Sequence, residues 1–328
     1  MPTLAIIGAS GKLGFATLTS LLDHGLLKAS DLVLTTSSPT GEQKLQDAAS
    51  KGAEIRHVNW DDDQPAWESA LKGCDAVFLI SSSRIEKDFH DAPPGKGREA
   101  DHFKCLEAAK AVGIKHVYYA SLAFANPSKS NVMTAHERTE AWLAEEWKGG
   151  WTVMREGLYN ESWPLYFGHY GLKDDDRTEV LVGGDSKISW TSIADLGLAN
   201  ALILAGDKGE WELRTVYLSQ SAAYTLGEVA GMVSKAKAVR EPQATETKAT
   251  ETNAPKDINL KVVSRTEHED FYINTRHMDP AFIKWWSKTY DALRDGECAI
   301  KDPTLESLLR EKGMKPQSMA GTVGEMIG

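Results

Sequence analysis

The chain has 328 residues, 41% of them apolar, enough for one large α/β domain or two modest ones with a sizeable core. Its net charge is −10 and no stretch gathers lysines and arginines, which argues against direct nucleic-acid binding, because phosphate contacts need clustered cations. No apolar run reaches the roughly 18 residues of a membrane span, the first strand starts without room for a removable signal peptide, and Cys74, Cys105 and Cys298 stand far apart without metal spacing, as reduced thiols of a cytoplasmic protein do.

The first fourteen residues, MPTLAIIGASGKLG, carry an apolar run from Leu4 to Ile7, then Gly8-Ala9-Ser10-Gly11-Lys12-Leu13-Gly14, then a helical stretch. A G-x-x-G-x-x-G spacing between strand and helix points to nucleotide binding. Gly8 makes the tight turn, Gly11 leaves room for a pyrophosphate, and Gly14 lets the helix lie close to the sheet. The helix start offers free N–H groups to the phosphates. Ser10, Lys12 and Leu13 sit inside this turn. The competing reading is a turn that binds nothing.

Through residue 155 short apolar runs alternate with helical patterns. Strands are predicted at 3–7, 31–36, 54–58, 75–80, 116–120 and 151–155, and helices at 12–24, 41–51, 64–72, 98–112 and 135–147. The pattern is that of an α/β doubly wound parallel sheet, a Rossmann fold. After Arg155 the regularity falls away. Residues 157–185 are aromatic and glycine-rich, 192–205 and 225–238 read as helices, and the polar 241–256 is expected to be a mobile surface loop. From 279 onward, Phe282, Trp285, Trp286 and Tyr290 fall at helical spacing, as core packing or as the wall of a substrate pocket. The expected division is a dinucleotide-binding domain over 1–156 and a smaller α/β substrate lobe over 157–328, with 186–205 returning to the first core.

The glycine turn, VFLISSS (77–83), YYASLAFA (118–125), AHERTEAWL (135–143) and MREGLYNESW (154–163) together resemble the NmrA-like group of atypical short-chain dehydrogenases/reductases. Within that group the chain is most similar to NAD(P)H:quinone oxidoreductases of the bacterial type, and it also resembles fungal NmrA-like proteins found around secondary metabolism. The likeness runs to about residue 235. It implies an NADP(H) site built from the glycine turn and the ends of strands two to five, with a smaller lobe covering the nicotinamide. Ser81, Ser82 and Ser83 are placed to meet ribose or nicotinamide, or else to cap a turn. Asn59 and Trp60 stand where the group contacts adenine, with a core role for Trp60 as the alternative.

The second strand ends Leu34-Thr35-Thr36-Ser37-Ser38, without the acid that bonds a ribose 2′-OH in NAD enzymes. Asp31 lies at the opposite end. Ser37 and Ser38 can donate to a 2′-phosphate, and Lys12 and Lys44 add positive charge, so NADP(H) is favoured over NAD(H). The group often has Arg where Ser37 stands.

Most short-chain dehydrogenases carry Tyr-x-x-x-Lys on the helix after strand five. Here His136 and Glu140 take those places, with Glu140 a candidate cofactor contact, and Ser121 remains at the strand end as a candidate catalytic residue. Hydride added to a simple ketone gives a strongly basic alkoxide, whereas a quinone gives a phenolate with a pKa of roughly 10. A missing proton relay is therefore tolerable for quinones. His136, with an ordinary pKa of about 6.5, and Tyr159 are the candidate donors; His136 paired with Glu140 is the structural alternative. Phe124, Asn160, Trp163 and Phe167 are the candidate substrate contacts, with loop capping as the alternative for Asn160. The expected function is NADPH-dependent hydride transfer to a quinone or related aromatic or enone carbonyl. The alternative is a catalytically inactive NAD(P) sensor acting through a protein partner. The sequence sets no oligomeric state.

Overall fold

The computed structural model describes residues 3–172, 175, 177–240 and 257–328; the segment 241–256, expected to be a mobile loop, lies outside them. Leu4–Ile7 (β1) leads to Lys12–Asp23 (α1), Leu32–Thr36 (β2) to Pro39–Ser50 (α2), and Glu54–His57 (β3) to Gln64–Leu71 (α3). Ala76–Ile80 (β4) leads to Glu99–Ala111 (α4) and His116–Leu122 (β5) to Thr134–Glu145 (α5), and Gly150–Glu156 (β6) closes the series. The apolar runs become strands because helices cover both sheet faces: β1 and β2 are buried along their whole length. The more polar β3 takes the sheet edge. Helix starts are fixed locally. Ser38 accepts from Gly41 N–H ahead of α2, and Asp63 accepts from Ala66 N–H ahead of α3, each with a proline in the first turn.

The second half runs Leu158–Tyr159 (β7), Trp163–Tyr166 (α6), Glu179–Val182 (β8), Trp190–Thr191 (β9), Ile193–Ala205 (α7), Lys208–Trp211 (α8) and Arg214–Leu218 (β10). Leu226–Arg240 (α9), Asn259–Val262 (β11), Arg265–Asp270 (α10), Pro280–Arg294 (α11), Thr304–Glu311 (α12) and Met319–Ile327 (α13) complete it. The large sheet has seven strands in the order β10-β6-β5-β4-β1-β2-β3, and every neighbouring pair is parallel. Strand order reverses between β1 and β4, the crevice where doubly wound sheets bind ligands.

The division expected at residue 156 is not a clean cut. β10 adds a seventh strand beyond β6, α7 packs on α1, and α12 covers α7 and β10. The rest of the second half forms its own aromatic core around Trp163, Phe167, Trp190, Trp285, Trp286 and Tyr290. In the aromatic stripe of the tail, Trp285, Trp286 and Tyr290 are buried in this core, Trp286 also lines a cavity, and Phe282 is only partly buried. Tyr290 Oη donates to Tyr166 O at 2.9 Å, satisfying its hydroxyl inside that core.

α1 reaches the sheet because Gly14 carries no side chain. A Cβ there would stand 2.4 Å from Gly8 O and 3.0 Å from Ala9 Cα, both backbone atoms that cannot step aside. Gly8 itself has φ +77°, a turn that other residues adopt only with strain. Gly14→Ala is expected to lower the unfolding free energy by about 1–3 kcal/mol, the usual cost of overpacking, read as a lower urea midpoint at unchanged slope.

Candidate active site

The glycine turn and α1 form the first part of the site. Gly11 N–H donates back to Gly8 O at 2.9 Å, closing the turn. α1 starts at Gly11 with no side-chain cap and no acid in its first turn, whereas α2, α3, α7 and α11 are each capped by Ser or Asp. The N–H groups of its first turn, with the positive end of the helix dipole, suit a diphosphate. Above the turn, Lys44 Nζ donates to Ser10 O at 3.1 Å and stands 4.3 Å over the Phe15 ring. Ser10 Oγ and Thr36 Oγ1 lie 3.3 Å apart, and Ser37 and Lys12 are exposed beside them. Ser38 is occupied as the cap of α2.

The end of β3 supplies Asn59, exposed, and Trp60, half-buried and stacked at 4.9 Å on the fully buried Trp67. Lys104 Nζ donates to Trp60 O and Asp62 O and fixes this corner. At the end of β4 the three serines part company. Ser81 lines a cavity, Ser82 is buried with its hydroxyl donated to Asp101 Oδ2 at 2.8 Å, and Ser83 is exposed at the rim.

That cavity has a volume of about 330 Å³ and lies at the carboxyl ends of β4, β5 and β6. Its inner wall includes Leu13, Ser121, His136, Glu156 and Tyr159; its outer wall includes Arg98, Val132, Leu165, Tyr166 and Trp286. The structure thus gathers Leu13, Ser81, Ser82, Ser83, Ser121, His136 and Tyr159 around one space. It does not bring Phe124, Asn160, Trp163 or Phe167 to that space. All four are essentially without exposed surface; Phe124, Trp163 and Phe167 belong to the aromatic core. Asn160 Nδ2 donates to Thr322 Oγ1 at 2.9 Å, tying β7 to α13. They do not line that space, where Leu165, Tyr166 and Trp286 supply the apolar wall instead.

Glu140 is also placed differently from expectation. It accepts from Arg155 Nη2 at 2.6 Å and Nε at 3.1 Å, from Ser121 Oγ at 2.5 Å and from Asn126 Nδ2 at 3.0 Å. It is a buried clamp joining α5 to β5 and β6, not a wall of the cavity. It does not pair with His136, whose Nδ1 lies 2.9 Å from the Tyr119 hydroxyl.

The model of the family described as NAD(P)H-binding matches residues 8–201. The chain belongs to that family. It is 31% identical over 235 residues to quinone oxidoreductase 2 of Escherichia coli strain K12, covering 71% of this chain and 73% of that one. It is 28% identical over 233 residues to an NmrA-like family domain-containing oxidoreductase, flvB, of Aspergillus flavus, covering 70% of each. In fold it matches the crystal structure of the Escherichia coli NADPH-dependent quinone oxidoreductase with NADPH, with a TM-score of 0.76 at 24% identity over 99% of this chain and 100% of that one. It matches a Citrobacter triphenylmethane reductase with a TM-score of 0.74 at 21% identity over 99% of both chains. This NAD(P)H-binding protein is an oxidoreductase of the NmrA-like, quinone-oxidoreductase type.

Burial sets the protonation of its site. His102 is wholly buried beneath Ser81 and Ser82. Ser82 N–H donates to its Nε2 at 3.0 Å, and its Nδ1 meets Thr139 Oγ1 at 2.8 Å, whose own proton goes to Ala135 O. Both contacts require the neutral ring protonated at Nδ1. Burial, then the charges of Arg98 and Lys87, hold His102 well below the usual 6.5. The same desolvation, followed by Arg98, His102 and Arg155, holds His136 well below it, which removes the imidazolium acid expected from the sequence. Burial raises the Tyr159 phenol above its ordinary value and Glu156 well above the carboxylate range. Arg98, His102 and Glu156 were not singled out in the sequence, since each reads there as an ordinary helix or strand-end residue.

A histidine kept neutral in the fold gives stability that is complete above its unfolded value of 6.5 and lost as pH falls below it, because the unfolded chain then binds the proton. His102→Gln preserves a donor and an acceptor without the titration. Urea midpoints should show the wild type ahead of the variant at neutral pH and that lead shrinking as pH drops below 6.5.

Proposed function

We propose that this protein uses NADPH to reduce quinones or related conjugated aromatic and enone carbonyls. The observation that carries the reading is a cavity beside the nucleotide cradle in which no side chain is placed and protonated as a strong acid. His136 is neutral. Burial holds the Glu156 carboxyl well above the usual carboxylate range, and both its oxygens are buried with no exposed surface. The Ser121 proton is committed to Glu140. Tyr159, a phenol less acidic than usual, makes no hydrogen bond to the described residues and so offers its hydroxyl to an acceptor oxygen. That set suits an acceptor whose reduced form is a stable phenolate and fails one that would leave as an alkoxide.

When bound, NADPH supplies a hydride and leaves as NADP⁺. The chain's part is to hold and orient. The turn from Gly8 to Gly14 and the start of α1 take the diphosphate; Ser37, Lys12 and Lys44 favour a 2′-phosphate at the end of β2, where no acid stands. Asn59 and Trp60 flank the adenine, Ser81 and Ser83 the ribose nearer the nicotinamide, and Tyr166, Leu165 and Trp286 give the aromatic acceptor an apolar wall. The named activity of the Escherichia coli relative and its NADPH complex support this assignment. A second reading, a nucleotide sensor that works through a protein partner, has support in the missing Tyr-x-x-x-Lys and in the NmrA-like relative.

A spectrophotometric assay separates the two. The expected result is steady quinone-dependent oxidation of NADPH, faster than with NADH, and little with simple aliphatic ketones. Tyr159→Phe should slow turnover by about three- to tenfold, the worth of one hydrogen bond. Tight NADPH binding without turnover on any quinone, enone or aromatic carbonyl would favour the sensor.

A further inference from the structure

Among the residues that line the cavity, five can ionise: Arg98, His136, Glu156, Tyr159 and Tyr166. Burial drives the imidazole, the carboxyl and both phenols toward their neutral forms. A guanidinium cannot escape in that way. Arg98 therefore gives the wall its one full charge, and it is itself 5% exposed.

Its counter-ion stands behind it. Asp88 Oδ1 accepts from Arg98 N–H at 2.7 Å and Oδ2 from Nε at 2.6 Å. Asp88 lines a separate small cleft with Asp91 and Asn131 and does not line this cavity. The pair is thus a fixed dipole with its positive end toward the acceptor. Arg98 Nη1 donates to Ser82 O at 3.2 Å and weakly to Ser81 Oγ at 3.4 Å, and Nη2 to Val132 O at 3.0 Å. Of its five N–H donors, one on Nη2 has no acceptor among the described residues. Its field adds to the burial that lowers the proton affinity of His136 and His102.

We propose that the Arg98 guanidinium, backed by Asp88, is the oxyanion-holding group of this cavity, and that it selects neutral acceptors that become anions over acceptors that arrive as cations. The inference rests on the reading of this cavity as the seat of the electron acceptor. In that reaction a C–H bond of the dihydronicotinamide would break, the hydride with both electrons would form an O–H bond at one quinone carbonyl, and the π pair displaced through the ring would come to rest on the opposite carbonyl oxygen. Arg98 pairs with that oxygen while the charge lasts, and water supplies the proton that completes the hydroquinone. Preorganised positive charge in a dry site needs no reorganisation when the anion forms.

The test measures binding to the NADP⁺-loaded protein. The probes are 4-hydroxycoumarin, an enolate at neutral pH, and its uncharged 4-methoxy ether. The wild type is expected to bind the anion about tenfold or more tightly than the ether, the scale of one charge-assisted hydrogen bond. R98Q/D88N, which removes both charges together, should bring the two probes within about twofold when each form is held at saturating NADP⁺. A cationic triarylmethane dye should bind more tightly to that variant than to the wild type. Equal binding of anion and ether by the wild type overturns the proposal, whether or not the variant folds, and so does a preference that survives in a folded R98Q/D88N. Quinone turnover without the preference removes the anion site and leaves the quinone reading; the preference without turnover removes the quinone reading and leaves the anion site.

Discussion

Desolvation at the carboxyl ends of β4, β5 and β6 governs this site. A carboxylate, an imidazolium or a phenolate taken from water into that space loses several kcal/mol of hydration unless it is paired, and the fold pairs few of them there. His102 keeps its ring neutral by a hydrogen bond at each nitrogen, His136 sits against the Tyr119 hydroxyl, and Glu156 has both oxygens buried beside Asn200. Where charge is retained, it is locked to a partner: Arg155 to Glu140 and Arg98 to Asp88. The chemistry open to the cavity follows from which groups lose their charge and which cannot.

The nucleotide half was largely legible in the sequence because its signals are local. An apolar run, a glycine turn and a helix at the chain's start become β1, the Gly8 turn and α1, and the six predicted strands fall within a residue or two of those observed. Seeing no acid at the end of β2 needed only the strand boundary. What was not legible depends on distant contacts. Gly41 reads as an ordinary helix glycine, yet a Cβ there would meet Thr36 Oγ1 at 2.1 Å and Ser10 Oγ at 2.7 Å. Nothing near position 98 tells that its guanidinium crosses to Val132 O.

The acceptor side shows the limit more sharply. Trp163 and Asn160 close the MREGLYNESW segment and Phe167 follows it; in the sequence the aromatics read as pocket or core, and Asn160 as a substrate contact or a loop cap. Side-chain direction decides between them, and direction is set by packing that includes distant parts of the chain: Thr322 takes the Asn160 amide, and Trp163 and Phe167 join the cluster that holds Trp286 and Tyr290. In the same way Glu140 is at the spacing of a lost catalytic lysine, but Arg155 on the neighbouring strand takes it into a clamp. Spacing on one helix could not show that.

The path of the backbone between its two cores has a practical outcome for anyone wishing to exchange acceptor specificity between relatives. The chain leaves the large sheet after β6, comes back with α7 and β10, leaves again, and returns with α12. The part that roofs the cavity is therefore two insertions threaded through the nucleotide-binding body plus the terminal helix α13 beyond α12, not a module fused behind it. A chimera joined at a single crossover would strip α1 of its covering helix and β6 of its neighbour; grafts made at five junctions, two for each excursion and one ahead of α13, keep the body whole.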